Sequence, residues 1–419
     1  MNSDVVNHGY LMHSPVFLPV AELAGDDPSP EAGVPYLRAF LDRAGVAPHS
    51  ALASERIAFP PTHSFLDAPE SALRVAYDIA GAAVAGAGEL WFDQRNCTQV
   101  DLCAESVACA LAKQAKSAGI KVVGEYPAVL GARASVASFG VPAVLKDFIP
   151  EPTTESSIWP LQQQIRPDGL LDSPLREHMQ SEVIPTLLDH RFRGYALNPE
   201  FARYLSTFLV EALDNAAEHG AGDWWSAATL RAQEGETRGR CQIVIFNFGE
   251  TIHQTFLQLP ANSARREEYE GILRHHQQSG FFDDTWTEEN FWTLGALQSG
   301  ASRWGEVPSR GMGTVAIIRF FDYLASTSCA ATPPRMRVVS GRTTILFDGR
   351  YRLPEQRELG RQIGVAFNPP NNLMWPANPS AVQALQRHFP GTLISIQFNI
   401  APDHLQQLPG SSDESYETP

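Results

Sequence analysis

The sequence predicts an α/β (α+β) protein in two domains, and three observations carry that expectation. First, 419 residues are more than one ordinary hydrophobic core organises. Second, strand, helix, strand and helix patterns succeed one another between Leu90 and Gly140, which marks a compact α/β unit. Third, a new periodic block opens near Phe201 after a proline-rich stretch, so a second core follows the first.

Residues 1–60 are rich in Pro, Gly and Ala, with one apolar run at Val16 to Val20 and a helix expected over Pro35 to Ala44. No role is assigned to that segment. Residues 61–146 form the first regular unit. Leu90 to Asp93 has the apolar character of a buried strand, and Leu102 to Ala118 is alanine-rich with helical periodicity. Gly119 closes that helix, Ile120 to Gly124 is the next strand, and Ala132 to Phe139 is a short helix with Gly140 at its C-cap. Residues 147–174 carry five prolines among polar residues and suggest a linker. The second domain is expected over 175–402, with an acidic disordered tail over 403–419.

The run ELWFDQRNCTQVDLCAESVACALAKQAKSAGIKVVGEYPA, with ARASVASFGV after it, resembles a STAS domain. The resemblance implies a strand, an aspartate-led turn, a helix, a strand and a short helix ending in glycine, and it implies an interaction module. That family's phosphorylatable serine follows the turn aspartate. Here Asp101 is followed by Leu102 and Cys103, so this copy is expected to take no phosphate there, although Ser106 is nearby.

Composition narrows the function classes. Hydrophobic residues at 43% and charged residues at 19% suit a folded chain rather than a disordered one. A formal net charge of -15 disfavours nucleic acid as the partner, because phosphate neutralisation needs a basic surface. The pairs Arg265–Arg266 and Arg350–Arg352 are the local basic exceptions. No apolar run is long enough to span a bilayer, and the first residues, MNSDVVNHGYLMHSP, lack a basic segment before an apolar one. A cytoplasmic protein without a membrane partner is expected. Five cysteines with no CxxC pair read as reduced, packed thiols, and the six-residue recurrence of Cys97, Cys103 and Cys109 matches no metal spacing.

The chemistry concentrates in three short motifs. From Phe201 to His219, the residues Tyr204, Leu205, Phe208, Leu209 and Leu213 form one apolar stripe, while Glu211, Asn215 and His219 share another helix face. A carboxamide oxygen suits Mg²⁺, which takes few protein ligands and keeps other positions for phosphate and water. A carboxylate one turn away can deprotonate an attacking water. Such a face alone is ordinary helix surface. Cys241 to Phe246 is an apolar β-branched strand broken by Asn247, Phe248 and Gly249, where backbone can approach a flat base. Ser309 to Thr314 (SRGMGT) then enters an apolar helix over Val315 to Leu324, and glycines at a helix N-terminus expose N–H groups to a phosphate.

Together EALDNAAEHG, NFGETI and RGMGT resemble the N box and the two glycine boxes of GHKL (Bergerat-fold) ATPases. The N box is most similar to that of anti-sigma-factor serine kinases. Gly249 follows Asn215 by 34 residues, and Gly311 follows Gly249 by 62, which implies a long lid containing SARREEYEGILRHHQQSG. The resemblance implies an α/β sandwich with a mixed sheet, a hairpin turning at Gly341 in MRVVSGRTTILF and a last strand in FPGTLISIQFNI. It also implies ATP and Mg²⁺ as ligands, Glu211 as general base and Asn215 as metal ligand. Asn247, Gly249, Arg310, Gly311, Gly313 and Thr314 would hold the nucleotide. Asn247 stands where the family has aspartate, and its amide can serve adenine or a guanine carbonyl.

The expected function is a Mg²⁺-dependent ATPase switch with a protein partner or self-association. A serine/threonine kinase acting on a partner and a non-catalytic nucleotide-binding module are the alternatives. A two-component histidine kinase does not fit, because the surroundings of His178 lack that family's pattern.

Overall fold

The computed structural model describes residues 16–17, 33–47, 53–145, 156–165, 195–219, 223–232, 239–260, 264–298, 313–327, 333–354 and 364–407. Its first sheet follows from short apolar runs, alternately buried over Glu89–Asp93 and continuously buried over Val122 to Gly124. Strands β2 (Ser54–Ala58), β4 (Glu89–Asp93) and β6 (Lys121–Glu125) are parallel, and β1 (Val16–Phe17) lies antiparallel on the β6 edge. The order is β1-β6-β4-β2, and a small parallel pair joins β3 (Thr62–His63) to β5 (Gln99–Val100). Helices α2 (Pro69–Val84) and α3 (Leu102–Ser117) cover one face of it and α1 (Gly33–Ala44) packs on them, with α4 (Leu130–Phe139) and α5 (Val141–Val144) beyond. Part of the unassigned segment 1–60 therefore belongs to this unit: α1 packs Leu37, Phe40 and Leu41 into its core, and β2 is one of its parallel strands.

Asp101 caps α3, its side chain accepting from Ala104 N at 2.6 Å. Nearly every side chain of α3 from Leu102 to Ala112 is buried, including Cys103, Cys109 and the alanines. A helix apolar all round has protein on every side, and small residues let two sheets approach it. The described cysteines Cys97, Cys103, Cys109 and Cys241 are buried free thiols, and burial pushes the Cys241 thiol up to about 12. Gly119 has φ +79, as a left-handed helix end requires. Gly140 does not: its φ is -80, and a Cβ there would meet Glu105 Oε2 and the Val136 carbonyl oxygen at 2.6 Å. Gly140 is nonetheless the C-cap of α4 as expected, its N–H bonding the Val136 carbonyl oxygen, and close packing rather than a left-handed backbone explains the glycine.

The second sheet is antiparallel throughout, in the order β11-β12-β10-β9-β7, and the mixed sheet expected here is corrected accordingly. Its members are β7 (Ser156–Ile165), β9 (Asp223–Ala232), β10 (Gly239–Asn247), β11 (Arg335–Phe347) and β12 (Val382–Ile400). β7 lies within the stretch expected to be a linker, so residues 156–165 are sheet edge instead. β11 runs straight through Gly341, where a hairpin was expected. Its pairing with β12 only shifts register there, and Gly341 takes φ +59 beside Glu289 Oε1, which a Cβ would meet at 2.0 Å. Residues 403–407 are also ordered: a 3-10 turn (Pro402–His404) leads into β13 (Leu405–Gln407), which pairs with β8 (Tyr195–Leu197), and His404 stacks on Phe201.

Helices α6 (Pro199–His219) and α10 (Gly313–Thr327) pack on one face of this sheet. The intervening segment holds α7 (Ile252–Leu257), α8 (Ala264–Gln278) and α9 (Glu288–Ala296). The opposite face rests on α1, α2 and α3, so these helices lie between the two sheets. Strand β10 shows the division. Cys241, Ile243 and Ile245 join the core under α6, while Val244 and Phe246, with Phe248 after them, join the core under α1–α3. Polar ties reinforce the second junction: Gln242 Oε1 accepts from Leu102 N at 3.2 Å, and buried Arg337 donates to the Leu66 carbonyl at 3.0 Å. Among the described residues no helix is long and apolar enough to cross a membrane.

Glu105 is enclosed between the sheets, accepting from Gln94 Nε2 at 2.7 Å, with His63 Nε2 at 3.7 Å. Burial pushes Glu105 up to about 8 and His63 down to about 3, so both are neutral in the fold near pH 7. A carboxyl raised from 4.5 gives its stability below that value and loses it as pH rises toward 8, whereas the lowered imidazole destabilises the fold below 6.5. Glu105→Gln removes the first dependence. Urea unfolding at pH 5 and pH 8 should show the variant gaining on the native protein by about 2 kcal/mol or more at the higher pH, and an equal difference at both values would refute it.

Candidate functional site

The site is built around the C-terminal half of α6. Asn198 caps this helix, its Oδ1 accepting from Phe201 N at 2.7 Å, and Pro199 opens the first turn. Phe201, Leu205, Phe208, Leu209, Ala212, Leu213 and Ala216 bury one stripe against the sheet. That stripe fixes the rotation of the helix, and it leaves Glu211, Asn215 and His219 half-buried along one side.

Against this side stands the first residue of α10. A Cβ on Gly313 would lie 2.4 Å from Glu211 Oε2 and 3.8 Å from Asn215 Nδ2. Glycine lets the helix end come this near with the Glu211 carboxylate left in place, where a Cβ would have to displace it. The N-terminal end of α10, where the helix dipole favours anions, is therefore set directly on the Glu211–Asn215 face. Thr314 is the next residue and is half-buried. Arg310 and Gly311 lie outside the described residues.

The end of β10 closes around the last turn of the same helix. Asn247 is buried, its Nδ2 donating to the Ala216 carbonyl at 3.1 Å and its Oδ1 accepting from Thr392 N at 3.1 Å. One amide hydrogen and one lone pair of its carboxamide remain for a further partner. Gly391 is needed opposite, since its Cβ would meet the Asn247 carbonyl oxygen at 2.2 Å and its φ is +146. Glu250 N then donates to the His219 carbonyl at 3.0 Å, so the buried turn through Gly249 is tied to the end of α6. Thr251 caps α7 with a reciprocal Gln254 bond, and Ile252 N donates to Ser340 Oγ at 2.8 Å.

Of the residues singled out in the sequence, the fold gathers Glu211, Asn215, Gly313 and Thr314 at one edge and Asn247 and Gly249 at the other. Both groups border the C-terminal half of α6, because Ala216 and His219 anchor the second. Ser340, Gly391 and Thr392 hold that second edge and were missed, although the Pro-Gly-Thr of FPGTLISI was a visible signal of close backbone approach. Among the described residues no three His, Cys, Asp or Glu side chains gather as a metal site. A cation on this face would have one or two protein ligands and would need a ligand's own oxygens, which is the habit of Mg²⁺.

Comparison with known protein families, characterised proteins and solved structures finds no match to this chain.

The serine position of the first unit is closed by the fold. Asp101 accepts from Ser64 Oγ at 2.6 Å and from Leu66 N at 3.0 Å, and Ser106 is 1% exposed within α3. Incubation with ATP followed by mass spectrometry should find no phosphate on residues 95–110; phosphate on Ser106 would contradict this burial.

Proposed function

We propose that the chain binds Mg·ATP at the α6–α10 edge and hydrolyses it, as a GHKL-type ATPase whose STAS-like unit is docked in cis. The observation that carries this reading is the approach of Gly313 to Glu211 and Asn215. An anion-favouring helix end, a carboxamide and a carboxylate meet where a Cβ would fill the space. The order of the motif-bearing elements around an antiparallel sheet adds support: helix α6, a hairpin ending at Gly249, and then α10.

In this reading the N–H groups that open α10 receive the phosphates, and Asn215 holds the Mg²⁺. The metal would neutralise charge on the phosphate oxygens. Glu211 orients a water in line with the γ-phosphorus and takes its proton as the new P–O bond forms. The bond to the β-phosphate oxygen breaks, ADP carries away that electron pair, and the proton passes from Glu211 to solvent with inorganic phosphate. Asn247 and Gly249 form the base edge, where the free lone pair of Asn247 accepts from an exocyclic amine. The STAS-like unit presents α1–α3 to the ATPase sheet, so its interaction surface is engaged within the chain.

Asn215→Ala should weaken Mg·ATP binding by about tenfold or more, the scale of one contact to a charged group. Calorimetry with native affinity in the variant would remove the metal assignment. Glu211→Ala should retain near-native affinity while phosphate release falls by about a hundredfold or more. A folded variant that turns over at the native rate would leave the reaction without its base. Following labelled protein in the same incubation separates hydrolysis from phosphoryl transfer to a hydroxyl, and stable label would favour a kinase.

A further inference from the structure

The turn at the base edge is held from outside the ATPase region. Tyr36, Phe40 and Arg43 of α1 lie four and three residues apart and share one helix face. All three meet Phe248, the residue between Asn247 and Gly249. Phe40 packs edge-on against the Phe248 ring with centroids 5.0 Å apart, and Tyr36 does so at 6.1 Å. Arg43 Nη1 donates to the Phe248 carbonyl at 2.6 Å, across 205 residues of sequence.

The place of that carbonyl matters. Asn247 is the last residue of β10 paired to β9 and β12, so Phe248 stands just past the ladder that would otherwise orient it. The next fixed point along the chain is Glu250 N on the His219 carbonyl. Between these two anchors the peptide planes flanking Gly249 are set by the Phe248 ring and by the bond from Arg43. Phe248 is itself locked, packing also on Trp225, Phe246 and Phe389. Arg43, by contrast, is an exposed side chain on the last turn of α1, and its head group is spent on a backbone carbonyl of the turn.

We propose that Arg43 is a positioning residue for the base half of the nucleotide site, through which the N-terminal unit sets affinity for the base in cis. This rests on the nucleotide-binding reading above. The phosphate half, made by Asn215 and the start of α10, makes no hydrogen bond to α1 among the described residues. Loss of the bond from Arg43 therefore acts on ligands that carry a base and spares those that do not.

The test uses the full chain and two probes, Mg·ATP and Mg·tripolyphosphate, titrated by calorimetry. Arg43→Ala should weaken Mg·ATP about fivefold to tenfold, the range for an orphaned carbonyl, while Mg·tripolyphosphate binds as in the native protein. Arg43→Lys keeps a donor on a long stem and should recover most of the ATP affinity, a rescue that general loosening of the fold would not produce. Arg38→Ala, on an exposed position of α1, controls for lost charge and should change neither. Native ATP affinity in Arg43→Ala, or equal losses for both probes, overturns the proposal while leaving nucleotide binding intact. A native protein that binds neither probe overturns the nucleotide reading and this inference with it.

Discussion

Val244 and Phe246 point one way from β10, Ile243 and Ile245 point the other, and both sets are fully enclosed. Burying one such side chain contributes about 1.5 to 3 kcal/mol, so the strand is held strongly from both faces. The rest of the structure depends on this double enclosure. On one face it fixes α6 and α10 against the sheet. On the other it requires α1, α2 and α3 to be placed between two sheets. α3 is accordingly rich in alanine and cysteine, with only Leu102, Val107 and Leu111 as larger apolar residues.

A strand held on both faces makes a rigid base for a turn. Asn247 shows how the rigidity is passed on, since its carboxamide joins α6 to β12 at the point where β10 ends. The Gly249 turn is then defined by contacts from three directions: the end of α6, the β11–β12 edge and α1. Gly313 approaches the same helix at Glu211 and Asn215. The two halves of the candidate site are thus separate contacts on the C-terminal half of α6, and the stripe that buries this helix keeps both in register. Misrotating α6 by a single residue would turn Glu211 and Asn215 away from α10 by about 100°.

What was legible in the sequence was what local pattern encodes. The stripe of α6, the apolar run of β10, the limits of α3 and the left-handed Gly119 all follow from periodicity or from backbone conformation at one residue. The continuous run CQIVIF, without polar alternation, already carries the signature of a strand buried on both faces. What was not legible depends on partners remote in sequence. Gly341 looks like a turn until Glu289 is brought against it, and the cap residue Gly140 must be glycine because Glu105 and the Val136 carbonyl pack on it. β7 hides among prolines because an edge strand tolerates Pro160, whose missing donor a central strand would need. The Glu211–Asn215 face was recognisable only beside the other two motifs, and its closeness to Gly313 is a tertiary fact.

Composition and packing also divide this chain differently. Composition places a boundary in the proline-rich stretch 147–174, with the two regions on either side. Packing places no boundary there, because one core contains Leu37, Phe40 and Leu111 together with Trp225, Phe246 and Leu393. A region beginning at 175 would lose β7 from its sheet edge and expose Trp225, Val244, Phe246, Phe248 and Phe389 to water. An apolar area of that size on a sheet face drives association rather than leaving a tidy monomer. The N-terminal unit is therefore structural cover for the second sheet before it is anything else. Any signal it carries must pass through contacts that also hold the fold together, and such contacts transmit strain rather than merely tether.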